Sequence, residues 1–224
     1  MEYLIRFLEK SDYVWQLLYG QLNMFPAAYY ILTREQGRGD MREASISKKA
    51  WMDIQVPIYC MSYAEGNSDG IIRIDRRAIR DFCKCGGYAV IFDKTTFIEA
   101  MSGLLRNDAR SFHGRVIYDL SPAELPDVMP QRLPEIKSVL LRKEPNYIYQ
   151  NEYRFGFPDA DVTYWPLEPD WFKVPWKPTI PITRDRVWVS KVPPLCEICE
   201  DTFTLSTEHC ADPLRGEWLL RSRD

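Results

Sequence analysis

Tyr147-Ile148-Tyr149-Gln150-Asn151-Glu152-Tyr153-Arg154-Phe155-Gly156-Phe157 alternates in character. Tyr147, Tyr149, Tyr153 and Phe155 occupy odd positions, interrupted once by Asn151, while Gln150, Glu152 and Arg154 occupy even ones. A period of two between aromatic and polar residues predicts a half-buried β-strand. Residues two apart on a strand share a face, so Gln150, Glu152 and Arg154 are expected to project together, with an aromatic floor on the other side. A carboxylate beside a carboxamide, backed by a guanidinium, is a candidate catalytic edge. The same residues also describe a solvated polar face with a Glu152/Arg154 pair, which is the common use of such residues on sheets.

Upstream, the chain reads as alternating short strands and helices. Residues 2–7 form a strand candidate with Arg6 among apolar neighbours, and an arginine so placed needs a carboxylate or an anionic ligand. Ser11 or Asp12 is expected to cap a helix running to about Tyr19, with Gly20 as its terminator. Leu22–Met24 reads as a short strand, followed by Pro26 and the pair Tyr29, Tyr30. Residues 33–44 hold two glycines and many charges, including Arg34, Arg38, Arg42, Asp40 and Glu43, and read as a mobile surface loop. Further strands are expected at 56–62, 87–92 and 112–120. Helices are expected at 74–82, with a basic face of Arg73, Arg76, Arg77 and Arg80, at 94–105 after a capping Asp93, and at 133–143.

After Phe157 the composition changes. Eight of the sixteen prolines lie between Pro158 and Pro194, with Trp165, Trp171 and Trp176 among them, so this stretch is expected to wrap a surface, broken by one strand at 185–190. The tail carries Cys196-x-x-Cys199 and the adjacent pair His209-Cys210. These are zinc-ligand types, but the adjacent second pair fits a zinc site only in part, and ordinary reduced thiols are the favoured reading.

The 224 residues suffice for one large domain, or one domain with an appendage. A net charge of -3 leaves no global footprint for nucleic acid, though a local basic patch is compatible with it. Aromatic content of 13% suits a β-rich fold or a site that stacks flat ligands. No apolar run approaches the length of a membrane span. With Glu2 and Glu9 and no small-residue cleavage site, the N-terminal stretch is not expected to be a signal peptide. The six cysteines are therefore expected to be reduced, in a cytoplasm. No glycine-rich phosphate loop occurs, and with only two histidines, His113 and His209, a histidine-based triad is not expected.

The order of these pieces resembles the ADP-ribosyltransferase superfamily: Arg6 on a first strand, a helix with Gly20-x-Leu22, the Tyr29/Tyr30 pair, and Gln150-x-Glu152 on a late strand. Over residues 1–157 the short motifs are also similar to RNA-modifying ADP-ribosyltransferase toxins of phage-defence toxin–antitoxin systems, and to uncharacterised bacterial and phage proteins. The match departs from the Arg-Ser-Glu branch, because no Ser-x-Ser signature follows, although Ser62 stands after Tyr59-Cys60-Met61. The resemblance implies an α+β fold with a split β-sheet core and flanking helices. It would comprise a catalytic core at 1–157 and an irregular Pro/Trp-rich extension at 158–224 packed on that core. It implies NAD as substrate, with Arg6, Tyr29, Tyr30 and Ser62 holding it and Glu152 and Gln150 catalytic. Arg34, Arg38, Arg42 and Arg154 would bind a nucleic-acid acceptor, RNA in preference, and an antitoxin protein is a partner it allows.

The chemistry suits those residue types. Cleaving the nicotinamide–ribose bond passes through an oxocarbenium-like state that a carboxylate such as Glu152 stabilises. Cationic nicotinamide stacks on a tyrosine face. Two alternatives stand beside this reading. One is a non-catalytic nucleotide- or protein-binding module of the same fold, with Glu152 paired to Arg154. The other is a nuclease using Asp40, Glu43 and Glu152 around a divalent metal.

Overall fold

A computed structural model of the chain describes residues 1–27, 56–119, 133–160, 175–183 and 186–207. The chain divides into two compact units. One comprises Met1–Gln21, Met61–Ser102 and the residues from Thr179 onward; the other comprises Leu22–Cys60 and Gly103–Pro178.

The first unit is organised around β1 (Glu2–Leu8), which has an antiparallel partner on each side. On one side lies the second half of β3 (Pro57–Glu65), a strand whose first residues belong to the other unit, in the register Glu2↔Glu65 to Ile5↔Ser62. On the other lies β5 (Gly87–Asp93), from Tyr3↔Asp93 to Leu8↔Tyr88, and β5 in turn pairs antiparallel with β8 (Val187–Val192). A central strand of this kind loses its wet face, and Tyr3, Leu4 and Ile5 are accordingly all buried in succession. The helix α1 (Ser11–Leu18) starts from Lys10, with no side chain capping it, rather than from a Ser11 or Asp12 cap. Gly20 ends it at φ +79°, where an added Cβ would stand 1.8 Å from the Ile180 carbonyl oxygen. Only glycine meets both demands.

The helix predicted at 74–82 is split. β4 (Ile71–Asp75) comes first and pairs antiparallel with β9 (Thr202–Ser206) as a separate two-stranded sheet, and then α2 (Arg76–Cys83) follows. Asp75 caps α2 by accepting the Arg77 N–H at 2.8 Å. The expected basic face is largely engaged: Arg76 donates to the Ile198 and Leu195 carbonyls, Arg77 pairs with Asp75, and Arg80 with Asp81. Asp93 caps α3 (Lys94–Asn107), accepting from the Thr96 N–H and hydroxyl, as its position before the helix predicts.

In the second unit, β2 (Phe25–Pro26) pairs antiparallel with the start of β3, and β6 (Phe112–Arg115) pairs antiparallel with β7 (Glu152–Gly156) in the register Phe112↔Gly156 to Arg115↔Tyr153. The start of β3 also meets the end of β7, where the Phe157 N–H donates to the Pro57 carbonyl at 3.1 Å. Ala27, Ile58, Phe112, Val139, Leu140 and Leu141 form one apolar core, the last residues coming from α4 (Leu133–Leu140) and the turn after it. The class is mixed α+β with mostly antiparallel pairing. Past Pro158 the chain is not wholly irregular, since β8 and β9 are regular strands. Among the described residues no helix is long and apolar enough to cross a membrane.

Candidate functional site

The stretch from Tyr147 to Phe157 is not one strand. Pro145–Gln150 is a 3-10 turn, Asn151 adopts the left-handed conformation at φ 43° and ψ 55°, and only Glu152–Gly156 is β7. Two residues explain the break. Pro145 stands at the first turn of the 3-10 segment, where its missing N–H costs nothing, and asparagine is among the few residues that tolerate left-handed backbone. Asn151 also accepts from Arg115 through its Oδ1 at 3.1 Å. The tyrosine spacing that imitates a strand therefore belongs partly to a turn with three residues per repeat.

Within β7 the alternation does hold, and Glu152 and Arg154 share a face. That face is dry: every residue of β7 is buried. Arg154 is fully buried and grips Glu152 through two parallel bonds, Nε to Oε1 at 2.7 Å and NH2 to Oε2 at 2.9 Å. Its remaining nitrogen donates to the Leu140 carbonyl at 2.8 Å, satisfying the end of α4. The pair is thus buried and bidentate, not the exposed surface pair that the sequence suggested.

Gln150 is off the strand but returns to the cluster through Lys143. The Lys143 ammonium donates to Gln150 Oε1 at 2.8 Å, approaches Glu152 Oε2 at 3.4 Å, and lies 4.8 Å from the centre of the Tyr147 ring. Lys143, Gln150 and Glu152 are 3%, 1% and 5% exposed. The start of β7 is fixed by two backbone bonds: the Glu152 N–H donates to the Tyr118 hydroxyl at 2.7 Å, and the Glu152 carbonyl accepts from Val116 at 2.9 Å. Burial, and after it the nearby Glu152 carboxylate, pushes the Tyr118 hydroxyl well above its ordinary pKa, so it stays protonated.

Lys143 and Tyr118 are the two participants that sequence reasoning missed. Lys143 sits in a charged run, Arg142-Lys143-Glu144, that looks solvated. It is carried inward because Ile117 and the 141–143 segment exchange backbone bonds, Ile117 N–H to the Leu141 carbonyl at 2.7 Å and Lys143 N–H to the Ile117 carbonyl at 2.9 Å. The one available signal was the apolar run Val139-Leu140-Leu141 just before it, which implies that the chain is still in the core at Lys143.

The expected NAD-binding residues are only partly described. Tyr29 and Tyr30 lie outside the described residues, as do Arg34, Arg38, Arg42, Asp40, Glu43, His209 and Cys210. Arg6 lies on β1 opposite Val90, half-buried, while the buried Ser62 lies opposite Ile5. Cross-strand partners share a face and neighbours along a strand alternate, so Arg6 and Ser62 point to opposite sides of the sheet. Cys196 and Cys199 are exposed free thiols, and among the described residues no three His, Cys, Asp or Glu side chains are placed to hold a metal ion.

Comparison with known proteins finds no matching family model, no similar curated sequence and no similar solved structure.

Proposed function

We propose that the chain is an NAD-dependent ADP-ribosyltransferase that modifies nucleic acid, RNA in preference, and serves in a cytoplasm as a toxin or phage-defence effector. The observation that carries this reading is the convergence of Gln150 and Glu152 on one ammonium, Lys143, which sets a carboxamide and a carboxyl group side by side, as the motif order calls for. In the reaction, the bond between the ribose C1′ and nicotinamide breaks, and nicotinamide leaves with the electron pair. The cationic sugar is stabilised by Glu152, and a nucleophilic oxygen or nitrogen of the acceptor bonds to C1′ and loses its proton to solvent. Glu152 would meet the ribose hydroxyl while Arg154, through its bidentate contact, keeps the carboxylate oriented. Arg6 would hold the far ribose or a phosphate, Tyr29 or Tyr30 the nicotinamide, and Arg34, Arg38 and Arg42 the acceptor backbone. The specific split-sheet fold, the 1–157 core and an antitoxin partner belong to the same proposal.

A specific observation favours a second reading. Arg154 is fully buried and spends a bidentate contact on Glu152, as a structural ion pair does in a non-catalytic nucleotide- or protein-binding module. Incubating the protein with labelled NAD and total cellular RNA, DNA or protein separates the two. Label transferred to RNA by the wild type, and lost in Glu152→Gln, supports the transferase. NAD binding by calorimetry without transfer or hydrolysis supports the binding module, and magnesium-dependent cleavage of the RNA would favour the nuclease instead.

A further inference from the structure

On a regular strand, Gln150 and Glu152 would share a face by register alone. Here they cannot rely on register, because Gln150 ends a 3-10 turn and Asn151 reverses the local handedness before β7 begins. The backbone between them therefore does not hold the two side chains in strand register. Lys143 does so from outside the segment, seven and nine residues back in the chain.

We propose that Lys143 is a positioning residue for the Gln150/Glu152 pair, its buried ammonium taking the place of strand register across the left-handed Asn151. Three features fit such a role. Its backbone is anchored by the bond to the Ile117 carbonyl, so the ammonium is delivered from a fixed origin. Its side chain is 96% buried, and a lysine so deeply placed is held by the groups around it rather than by water. Its contacts lie on both sides of Asn151: Tyr147 and Gln150 before it, Glu152 after it. Because Gln150 spends its carbonyl oxygen on Lys143, its carboxamide is oriented as well as located. This inference rests on the transferase reading for its functional meaning, but the geometry it claims can be tested without NAD.

The experiment uses the full chain as wild type, Lys143→Met and Lys143→Arg, with two readouts. In transfer from labelled NAD to total cellular RNA, Lys143→Met is expected to lower kcat by about tenfold or more while KM for NAD stays within about twofold, because misplacement of a reacting group by an ångström is costly. Lys143→Arg, which keeps a cationic donor, is expected to recover most of the loss. In NMR spectra, the pair of Gln150 side-chain amide resonances is expected to lie away from free-carboxamide positions in the wild type and to shift toward them in Lys143→Met. Wild-type kcat in a folded Lys143→Met protein overturns the proposal, as does an unchanged Gln150 amide spectrum. If the wild type itself transfers no label, the transferase reading fails, and the Gln150 spectrum alone decides the positioning role. If Lys143→Met does not fold, the same two readouts on Lys143→Gln, a shorter neutral donor, decide it in the same way.

Discussion

Glu152→Gln separates a catalytic carboxylate from a purely structural one only when stability is measured beside activity. The substitution is nearly isosteric, so the shape of β7 should survive. The charge does not. Arg154 is fully buried, and both of its bonds to Glu152 run to carboxylate oxygens at 2.7 and 2.9 Å. An amide can accept through its oxygen but presents N–H groups to the other guanidinium nitrogen, which leaves a buried cation facing a donor. Removing one partner of a buried pair costs about 3–5 kcal/mol. For a protein of this length each kcal/mol lowers the melting temperature by roughly 2–4 °C, so Glu152→Gln should melt about 6–20 °C below wild type. The companion Arg154→Met removes the buried cation, and the double variant should be less destabilised than the sum of the singles by a few kcal/mol. Thermal and urea melts followed by circular dichroism measure all four proteins. Transfer is then assayed well below the lowest transition, where a loss on the order of a hundredfold in Glu152→Gln would match removal of a preorganised electrostatic contact. A variant that melts like wild type would refute the buried-pair argument, and one that turns over like wild type would refute the catalytic role.

Three further outcomes are expected. Tyr118→Phe strips the acceptor from the Glu152 N–H and should cost about 1–3 kcal/mol in urea denaturation, with a much smaller change expected for the same substitution at the exposed Tyr13 taken as control. Gly20→Ala should lower the melting temperature by several degrees, since its Cβ would collide with the Ile180 carbonyl at a positive φ; an unchanged melt would contradict the close approach. The hydrogen bond from Arg77 holds the Asp75 carboxyl below its ordinary pKa, so its contribution is present above the unfolded value near 4 and is lost as pH falls through the lower folded value. Asp75→Asn should therefore lose less stability than wild type between about pH 5 and pH 2, by about 1 kcal/mol for a partly exposed cap and pair, and parallel acid-denaturation curves would count against it.

Local chemistry made much of the scaffold legible. The apolar runs at β1, β5 and β8, the terminating Gly20 and the capping Asp93 act through their own backbone and near neighbours, and the structure places all of them as their residues suggest. Glu152 and Arg154 were also correctly put on one face, because strand alternation is a local rule. What the sequence could not convey was the environment of that face. The alternation from Tyr147 looks the same whether the polar side is wet or buried, and whether the first half is strand or 3-10 turn, so the surface pair became a buried one and Gln150 left the strand. The pairing of β4 with β9 joins residues some 130 positions apart through backbone bonds that carry no side-chain signature. Lys143 is the sharpest case. Nothing in Arg142-Lys143-Glu144 distinguishes it from a solvated charge, and it enters the cluster only because the chain past β6 bonds to the segment after α4 and turns that one ammonium inward. Periodicity and capping are properties of a few consecutive residues, whereas burial of a charge depends on which distant segments close over it, and that is settled only when the chain is packed.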